Sequence, residues 1–441
     1  MTAADRADTP TAPGSRPAEE PASGLAEGLA ERLPRLGEIY RDLHRHPELA
    51  FQEHRTAGIA AAELRALGWE TSEGVGGTGV VGVLRNGDGP VLLLRADMDG
   101  LPVREATGLP YASTATGRDA DGEQVPLMHA CGHDVHVTCL LGAAERLTAH
   151  RDAWRGTVLA VLQPAEECGE GAEAMIADGF AERFPRPDVC LGQHVGPFPA
   201  GTAFTRPGAI MATSDSYRVR LFGRGGHGSS PEHTVDPVVM AAAVVLRLQT
   251  VVSREVPAGQ TAVVTVGSIH AGSKENIIAD EAELKLNIRT VDEGVRERVL
   301  AAVHRIVEAE AAASGAPKAP EFTPISTLPL TVNEPEATER VLAGLRAALG
   351  DGQVFTLPAP FTGSEDFGVF GNALGVPSVF WHFGGTDPAA FAGHHPASVQ
   401  TGGFPPDVPT NHSPQYAPVP EPTLDAGVRM LLAVTAQWLA P

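Results

Sequence analysis

The sequence predicts an α/β protein in which a mixed-sheet α/β/α domain is interrupted by a smaller α+β domain of ferredoxin-like topology. Uniformly apolar runs, typical of strands that are covered on both faces, alternate with helical stretches along most of the chain. A middle segment instead alternates apolar and polar residues, which indicates strands with one solvated face. The length of 441 residues is enough for two domains.

The composition of the chain excludes several classes of protein. The 33 basic and 54 acidic residues give a net charge of −21, which repels phosphate backbones and anionic membrane surfaces. No window approaches the roughly 18 uninterrupted apolar residues that span a bilayer, and the N-terminus lacks a basic region followed by an apolar core. We therefore expect no nucleic-acid or membrane partner and a cytoplasmic location. The four cysteines are too few for a disulfide framework, so they are free thiols or metal ligands.

The first elements follow from local composition. Residues 1–24 are rich in Ala, Pro, Thr and acidic residues and lack apolar periodicity, so a disordered tail is expected. Helices are predicted from about Leu25 to His46 and from about Glu53 to Leu67. The turn residues 86–89, Asn-Gly-Asp-Gly, then separate two apolar runs, which predicts a β-hairpin.

Three later apolar runs predict further buried strands, at residues 156–163, 188–195 and 375–383. Polar side chains that can bind metals or transfer protons follow several of the predicted strands: Asp97, Asp99, Glu166, Glu167 and His194. In open α/β sheets ligands bind beyond the carboxyl ends of the strands. The sequence therefore predicts a functional site at that edge of the sheet.

The middle of the chain has the strand and helix order β-α-β-β-α followed by a last strand. Its predicted elements are a strand from about Ser216, a helix near Val235–Val252, strands at 261–270 and 281–290, a helix at about Asp292–Ala312 and a strand near Glu321–Ile325. This order suits a ferredoxin-like domain. The predicted divisions of the chain are a first catalytic part at 25–208, an inserted lid at 209–326 and a second catalytic part at 327–441.

The segment MHACGHDVHVT, residues 128–138, is dense in residues that can bind metals. Cys131 and His133 are two positions apart, so in extended backbone both side chains can meet one ion or ion pair. A helix is expected to begin near Asp134, and its apolar face leaves His136 and Cys139 turned away from the site. The alternative is that the cysteine is a small buried hydrophobic residue and that the polar residues cap the helix.

Two further segments offer matching chemistry. QPAEE ends a buried strand in Glu166 and Glu167, whose side chains point to opposite sides, so one can bind a metal while the other acts as general base. The alternative is a solvated loop that carries two acids. His194 and His412, with Cys131, His133 and Glu167, would provide five ligands of thiolate, imidazole and carboxylate type, sufficient for two ions.

Eight motifs occur in order between residues 43 and 367, within a match that covers roughly residues 30–440: LHRHPELAFQE, LLLRADMDGLPVREATGLPYAS, MHACGHDVHVT, LQPAEE, GQHV, GRGGHGSSPE, NIIADEAELKLNIRT and GSEDF. Together they resemble the amidohydrolase branch of the dinuclear-metal aminoacylase and carboxypeptidase superfamily. That branch includes hippurate hydrolases, N-acyl-amino-acid amidohydrolases and indole-acetyl-amino-acid hydrolases. The resemblance implies a phosphorylase/hydrolase-like catalytic domain interrupted by a lid domain.

The resemblance also implies roles for particular residues. Two divalent ions are implied, with Cys131 as a bridge, on the ligands Cys131, His133, Glu167, His194 and His412. Glu166 is implied as general base, and His227 in the lid as the group that stabilises the tetrahedral oxyanion. The substrate carboxylate is implied to bind Asn276 and Arg289.

Other residues are implied to line the pocket or to support the ligands. Ser364 is a candidate pocket residue. Asp97, Asp99 and Asp134 are candidates for orienting the metal ligands through hydrogen bonds.

Three departures from the family pattern affect these expectations. Asp97-Met98-Asp99 stands where many relatives outside this branch have His-x-Asp, so neither aspartate is expected to bind metal directly. Cys168 replaces an expected small Gly and places an oxidation-sensitive thiol beside the ligands. The segment before His412 is unusually long and Pro-rich, which makes His394 and His395 the fallback ligands.

The leading hypothesis is a two-metal amidohydrolase that cleaves N-acyl amino acids, hippurate-like or N-acetyl, to a carboxylate and a free amino acid. A metal-dependent dipeptidase or carboxypeptidase is the second reading. A binding protein without activity is the third, and the presence of Glu166 argues against it. Zinc, manganese, cobalt and nickel all suit the ligand set or the resemblance. A homodimer or homotetramer through the lid is expected.

Overall fold

The computed structural model describes residues 24–394 and 404–440. The predicted disordered tail, apart from its last residue, lies outside the described residues. The fallback ligand His395 lies outside them as well.

A mixed eight-stranded sheet forms the centre of the larger part of the molecule. In spatial order its strands are β1 (Glu70–Val75), β2 (Gly79–Asn86), β6 (Gly156–Gln163), β3 (Val91–Asp97), β7 (Val189–Pro199), β18 (Ser378–Thr386), β8 (Ala203–Thr205) and β17 (Val354–Thr356). The four strands from β6 to β18 lie parallel to one another, whereas β1, β2 and β6 pair antiparallel. The parallel strands therefore bring their carboxyl ends to one edge.

Both faces of this sheet are buried, as the apolar runs predict. Leu92 and Leu94 of β3 belong to the core on one face, and Leu93 belongs to the core on the other. The helices of this larger part are α1 (Leu33–Arg45), α2 (His54–Ala66), α3 (His133–Ala149), α4 (Gly171–Ala177), α5 (Phe180–Arg183), α8 (Pro335–Leu349), α9 (Gly368–Leu374) and α10 (Pro420–Leu439). This arrangement confirms the predicted α/β/α layers.

The predicted hairpin around residues 86–89 is wrong. Strands β2 and β3 do not pair, because β6 lies between them, antiparallel to β2 and parallel to β3. The short link crosses the start of β6, where the Thr157 N–H donates to the Pro90 carbonyl at 2.9 Å. Since all three strands are largely apolar on both faces, local turn residues did not determine which strands pair.

The inserted part has the ferredoxin-like order. Its four-stranded antiparallel sheet runs β12 (Ala262–Ala271), β14 (Glu281–Thr290), β10 (Thr213–Phe222) and β15 (Glu321–Leu328), with helices α6 (Pro237–Arg254) and α7 (Glu293–Ala313). The core of this part combines alternate residues of β14 with residues of both helices. The fold class is therefore confirmed, while the domain boundaries at 208/209 and 326/327 remain predictions.

Three short ladders complete the described strands. They pair β9 (Gly208–Met211) with β16 (Thr331–Asn333), β4 (Thr116–Arg118) with β5 (Gln124–Pro126), and β11 (Gly226–His227) with β13 (Ile277–Ile278). Helix α6 alone among the described helices is long and apolar enough to cross a membrane. Its residues Met240, Val244 and Leu248 are buried in the core of the inserted part.

Candidate metal centre

The predicted ligands converge at the carboxyl edge of the sheet. Cys131, Glu167 and His412 each place a ligand atom within 4.8 Å of the others, and His133, Glu166 and Glu167 do the same. The Cys131 sulfur lies 3.5 Å from Nε2 of His194. The structure thus brings all five predicted ligands to one place, together with the predicted general base.

Each of the two buried histidines of this group has Nδ1 held by an oxygen acceptor outside the ligand set. His133 Nδ1 lies 3.2 Å from the Asp99 carboxylate, and His194 Nδ1 lies 2.7 Å from the Val195 carbonyl. Donation from Nδ1 leaves the Nε2 lone pair of each ring directed at the cluster. This arrangement, in which a carboxylate or carbonyl orients the ring, is typical of metal-binding histidines.

Two buried polar atoms in the cluster lack a hydrogen-bond partner, Nε2 of His133 and Oε1 of Glu167. They lie 3.8 Å apart. A buried polar atom without a partner costs about 1–3 kcal/mol, so two such atoms side by side indicate a missing common partner. A divalent cation fits this donor set, because it accepts imidazole nitrogen, carboxylate oxygen and thiolate sulfur together.

Hydrogen bonds to two other carboxylates hold the turn that carries Glu166 and Glu167. Asp99 accepts hydrogen bonds from the backbone N–H groups of Glu166 and Glu167 at 3.2 and 3.0 Å. Ala165 has φ of 53°, a sparsely populated conformation for alanine, and its N–H donates to Glu53 at 2.8 Å. A strained backbone conformation of this kind is kept only where several surrounding contacts hold it in place.

The loop that carries His412 is fixed to the same corner. The His412 N–H donates to the Ala130 carbonyl at 2.7 Å, and Asn411 donates to the carbonyls of Cys131 and Val195, each at 3.2 Å. His412 has φ of 70° and places Nε2 3.4 Å from Oε2 of Glu167. His394, in contrast, is exposed and belongs to none of the described metal-binding groups.

The prediction that His136 turns away from the site is wrong. Its ring is buried, stacks on His133 with centroids 5.4 Å apart, and hydrogen-bonds through Nδ1 to Asp97. Nε2 accepts the Val195 N–H at 2.8 Å, so both nitrogens are occupied. Helix α3 is buried almost all around its axis and has no solvent-facing side to which His136 could turn.

Glu166 is buried beside the cluster, with Oε2 3.9 Å from Nε2 of His133. Burial, followed by the charges of Glu365 and Glu167, raises the pKa of Glu166 well above its usual value. A carboxylate whose affinity for a proton is raised is suited to general base chemistry.

Arg95 is a buried residue that supports the cluster through its carboxylate partners, and the sequence analysis did not identify it. It is 1% exposed and donates to Asp97 at 2.6 Å, to Glu365 at 2.7 Å and to Asp366 at 3.0 Å. Gln163, in the LQPAEE motif, connects to both Arg95 and Asp366. The sequence does contain a signal for this role: Arg95 is the single basic residue of the apolar strand β3, which ends at the site.

A cavity of about 450 Å³ opens in front of the cluster and includes Arg289 and Ser364. The Arg289 guanidinium donates to the Thr362 carbonyl at 3.0 Å and to the Ser364 hydroxyl at 3.1 Å. Strand β14 of the inserted part therefore places a cation in the wall of a cavity that is otherwise lined mainly by the larger part of the molecule. Burial lowers the pKa of Arg289.

Three predicted site residues are not brought to the cluster. His227 and Asn276 are exposed on the short β11–β13 ladder and its loop, and neither lines the cavity. The Nδ1 atom of His227 lies 2.7 Å from the Ser229 hydroxyl. Asp134 contacts His44 at 2.7 Å rather than a predicted ligand side chain.

Gly132 is predicted to be indispensable, and Gly132→Ala should destabilise the protein by more than about 2 kcal/mol and reduce metal binding. Gly132 has φ of 82°, and a Cβ there would meet Val195 Cγ1 at 2.4 Å and Pro418 Cγ at 3.2 Å. Gly122 is the matched control, since it has the same φ of 82° but no atom near an added Cβ. Urea unfolding and metal analysis of both variants check the prediction, and equal losses would contradict it.

The comparisons with known proteins agree with this geometry. Residues 93–400 match the model of the peptidase family M20/M25/M40. A hippurate hydrolase of Campylobacter jejuni is 38% identical over 335 residues, covering 76% of this chain and 84% of the relative. A thermostable carboxypeptidase 2 of Saccharolobus solfataricus is 38% identical over 338 residues, covering 76% and 82%.

Solved structures show the same likeness. The crystal structure of a Bacillus subtilis protein, described as a dinuclear metal-binding peptidase from the M20 family, superposes with a TM-score of 0.70 at 29% identity. It covers 92% of this chain and 99% of that chain. Because the family model spans more than half of the sequence and the relatives exceed 30% identity, this chain belongs to the peptidase family M20/M25/M40.

Proposed function

We propose that this protein is a metal-dependent hydrolase that cleaves the amide bond of N-acyl amino acids to a carboxylate and a free amino acid. The observation that carries the proposal is the pair of buried, unpartnered atoms on His133 and Glu167 beside the buried carboxylate of Glu166. Glu166 and Glu167 line a cavity that also includes Arg289. The name of the relative from Campylobacter jejuni supports an amide of this kind.

The proposed metal ligands are Cys131, His133, Glu167, His194 and His412. Two ions per chain are supported by the number of these ligands and by the description of the Bacillus subtilis structure. When bound, divalent ions polarise the scissile carbonyl and lower the pKa of water. Zinc, manganese, cobalt and nickel all remain candidates for the native metal, since thiolate with imidazole suits several of them.

The chain's own groups would supply proton transfer and orientation. Glu166 would take the proton of the attacking water and deliver it to the leaving amine, because its buried carboxylate holds a proton more tightly than an exposed one. Arg289 would bind the substrate carboxylate, and Ser364, which contacts Arg289, would line the same end of the cavity. Asp97 and Asp99 would hold the rings of His136 and His133 in place.

His227 and Asn276 would act on the substrate from a second copy of the chain. Both are exposed and outside the cavity of their own chain. The inserted part also exposes apolar side chains that a second copy could cover, with Val239 at 65% and Leu246 at 74%. These observations support a homodimer or homotetramer through the lid. A cytoplasmic location stays a prediction from the sequence.

A dipeptidase or carboxypeptidase is the second candidate function, supported by the name of the Saccharolobus solfataricus relative. The two functions differ in the group on the acyl side of the scissile bond. A dipeptidase accepts a free α-amino group there, and an N-acyl-amino-acid hydrolase accepts an acyl chain without that charge.

Metal analysis combined with a substrate panel tests the proposal. Protein loaded separately with zinc, manganese, cobalt or nickel is assayed on N-acetyl, N-benzoyl, N-indoleacetyl and long-chain acyl amino acids and on dipeptides. We expect turnover of N-acyl amino acids that is abolished by a chelator and restored by metal. Turnover of dipeptides alone would support the second function, and no amide turnover with any of the metals would contradict both.

A further inference from the structure

The cavity in front of the metal ligands has one wall made of aromatic rings. Phe198 lies with its ring centroid 5.8 Å from Phe361 and 5.8 Å from Phe404. All three rings line the cavity. Only the ring of His382 separates Phe361 from the candidate ligand His194. A flat apolar group bonded to the scissile carbonyl would therefore lie against these aromatic rings.

His382 interrupts this apolar wall with a polar ring. It lines the cavity, is 7% exposed, and packs between Phe361, at 4.6 Å between centroids, and the candidate ligand His194, at 5.9 Å. Its Nδ1 atom is buried without a hydrogen-bond partner. Nδ1 is enclosed and out of reach of a ligand, but Nε2 is not among the enclosed atoms and has no hydrogen-bond partner among the described residues. Buried imidazoles normally have partners for their nitrogens, so Nε2 gives this ring unused hydrogen-bonding capacity at the cavity wall.

The geometry points to His382 as a specificity-determining residue of an acyl subsite that takes an aromatic acyl group carrying a hydrogen-bonding substituent, such as a hydroxyl. This inference rests on the proposed function and names its substrate class. A polar group in an otherwise apolar subsite favours a ligand that offers it a matching hydrogen bond, because a ligand without one leaves the buried group unpaired.

The aromatic wall and the cationic wall belong to different parts of the molecule. Phe198 and His382 are carried by β7 and β18 of the central sheet, whereas Arg289 is carried by β14 of the inserted part. If Arg289 binds the carboxylate of the amino-acid half, then the other half of the substrate extends towards the central sheet. The aromatic wall is therefore assigned to the acyl half.

The test compares kcat/KM of the metal-loaded full chain for N-acetylglycine, N-benzoylglycine and the three N-(hydroxybenzoyl)glycine isomers. In the natural protein we expect benzoyl over acetyl, and at least one hydroxybenzoyl isomer over benzoyl. His382→Phe should lower that hydroxybenzoyl-to-benzoyl ratio about three- to tenfold. Phe361→Ala should lower the benzoyl-to-acetyl ratio about fivefold.

Trp381→Phe is the matched control. Trp381 neighbours His382 on β18, its Nε1 also lacks a partner, and its ring belongs to the core on the opposite face of the sheet. Both ratios should stay constant in this variant, and metal content is measured for all three variants.

Three outcomes would overturn the inference: equal loss for all acyl groups in His382→Phe, loss of metal from that variant, or a change in preference for the amino-acid half instead. Calorimetric binding of hydroxybenzoate and benzoate to the metal-loaded protein separates the inference from the proposed function. Tighter binding of a hydroxybenzoate that His382→Phe removes would support the acyl subsite even if no amide in the panel were hydrolysed. Equal binding of the two acids would contradict it.

Discussion

Replacing Glu166 by glutamine is expected to lower kcat at least about a hundredfold while the protein keeps its metal. Glutamine has the size of glutamate and preserves the hydrogen bond from the backbone of residue 166 to Asp99, but it cannot accept a proton. The proposed ligands do not include Glu166, so metal content should not change. The measurements are kcat on the best substrate of the panel and metal analysis of the same sample.

Glu170→Gln is the matched control for this variant. Glu170 is an exposed carboxylate four positions further along the chain, so its amide should leave kcat within about twofold of the natural value. Full activity of Glu166→Gln would show that another group is the base. Loss of metal together with activity would instead identify Glu166 as a ligand.

The sequence predicted the candidate site better than it predicted the path of the chain around it. Cys131 and His133 are close in sequence, Glu167 follows the apolar strand β6 by four residues, and His194 lies within the apolar strand β7, so local patterns were enough to bring them together. The pairing of β2 with β3 could not be predicted in this way. Strand β6, which is far away in sequence and equally apolar, pairs with both β2 and β3 and so separates them.

The groups that support the site were harder to recognise. His136 looked peripheral because a helix was assumed to have one apolar face, yet α3 is buried almost completely. His227 and Asn276 carry the family motifs, but the cavity of their own chain does not include them. A single sequence contains no signal for contacts between copies, and this is why those two roles remain proposals.

Arg95→Met is expected to destabilise the protein by about 3–5 kcal/mol, a large part of the stability of an ordinary domain. The substitution fits the space but removes the one guanidinium that pairs with all three of Asp97, Glu365 and Asp366. Glu365 and Asp366 would then have no cation in their described contacts, and Asp97 would keep only the rings of His133 and His136. Urea unfolding of the metal-free protein measures the loss, and Arg95→Lys, which keeps the charge without the planar fork, should lose less.

The loss should also depend on pH in a known direction. Burial raises the pKa of Asp366 to about 8, although Arg95 opposes the shift. A carboxyl group with a raised pKa keeps its proton in the folded state and loses it on unfolding, so it favours folding at low pH. Without Arg95 that pKa rises further, so the difference from the natural protein should be smaller at about pH 6 than at about pH 8.

Arg85→Met is the control for the Arg95 experiment. Arg85 lies on β2 and pairs with Glu70, but both side chains are more than half exposed. Exposed ion pairs contribute about 0–1 kcal/mol, so this variant should unfold nearly as the natural protein does at both pH values. If Arg95→Met costs no more than Arg85→Met, then the buried carboxyl groups are neutral in the folded protein. Arg95 would in that case not provide the counter-charge that stabilises the base of the candidate metal centre.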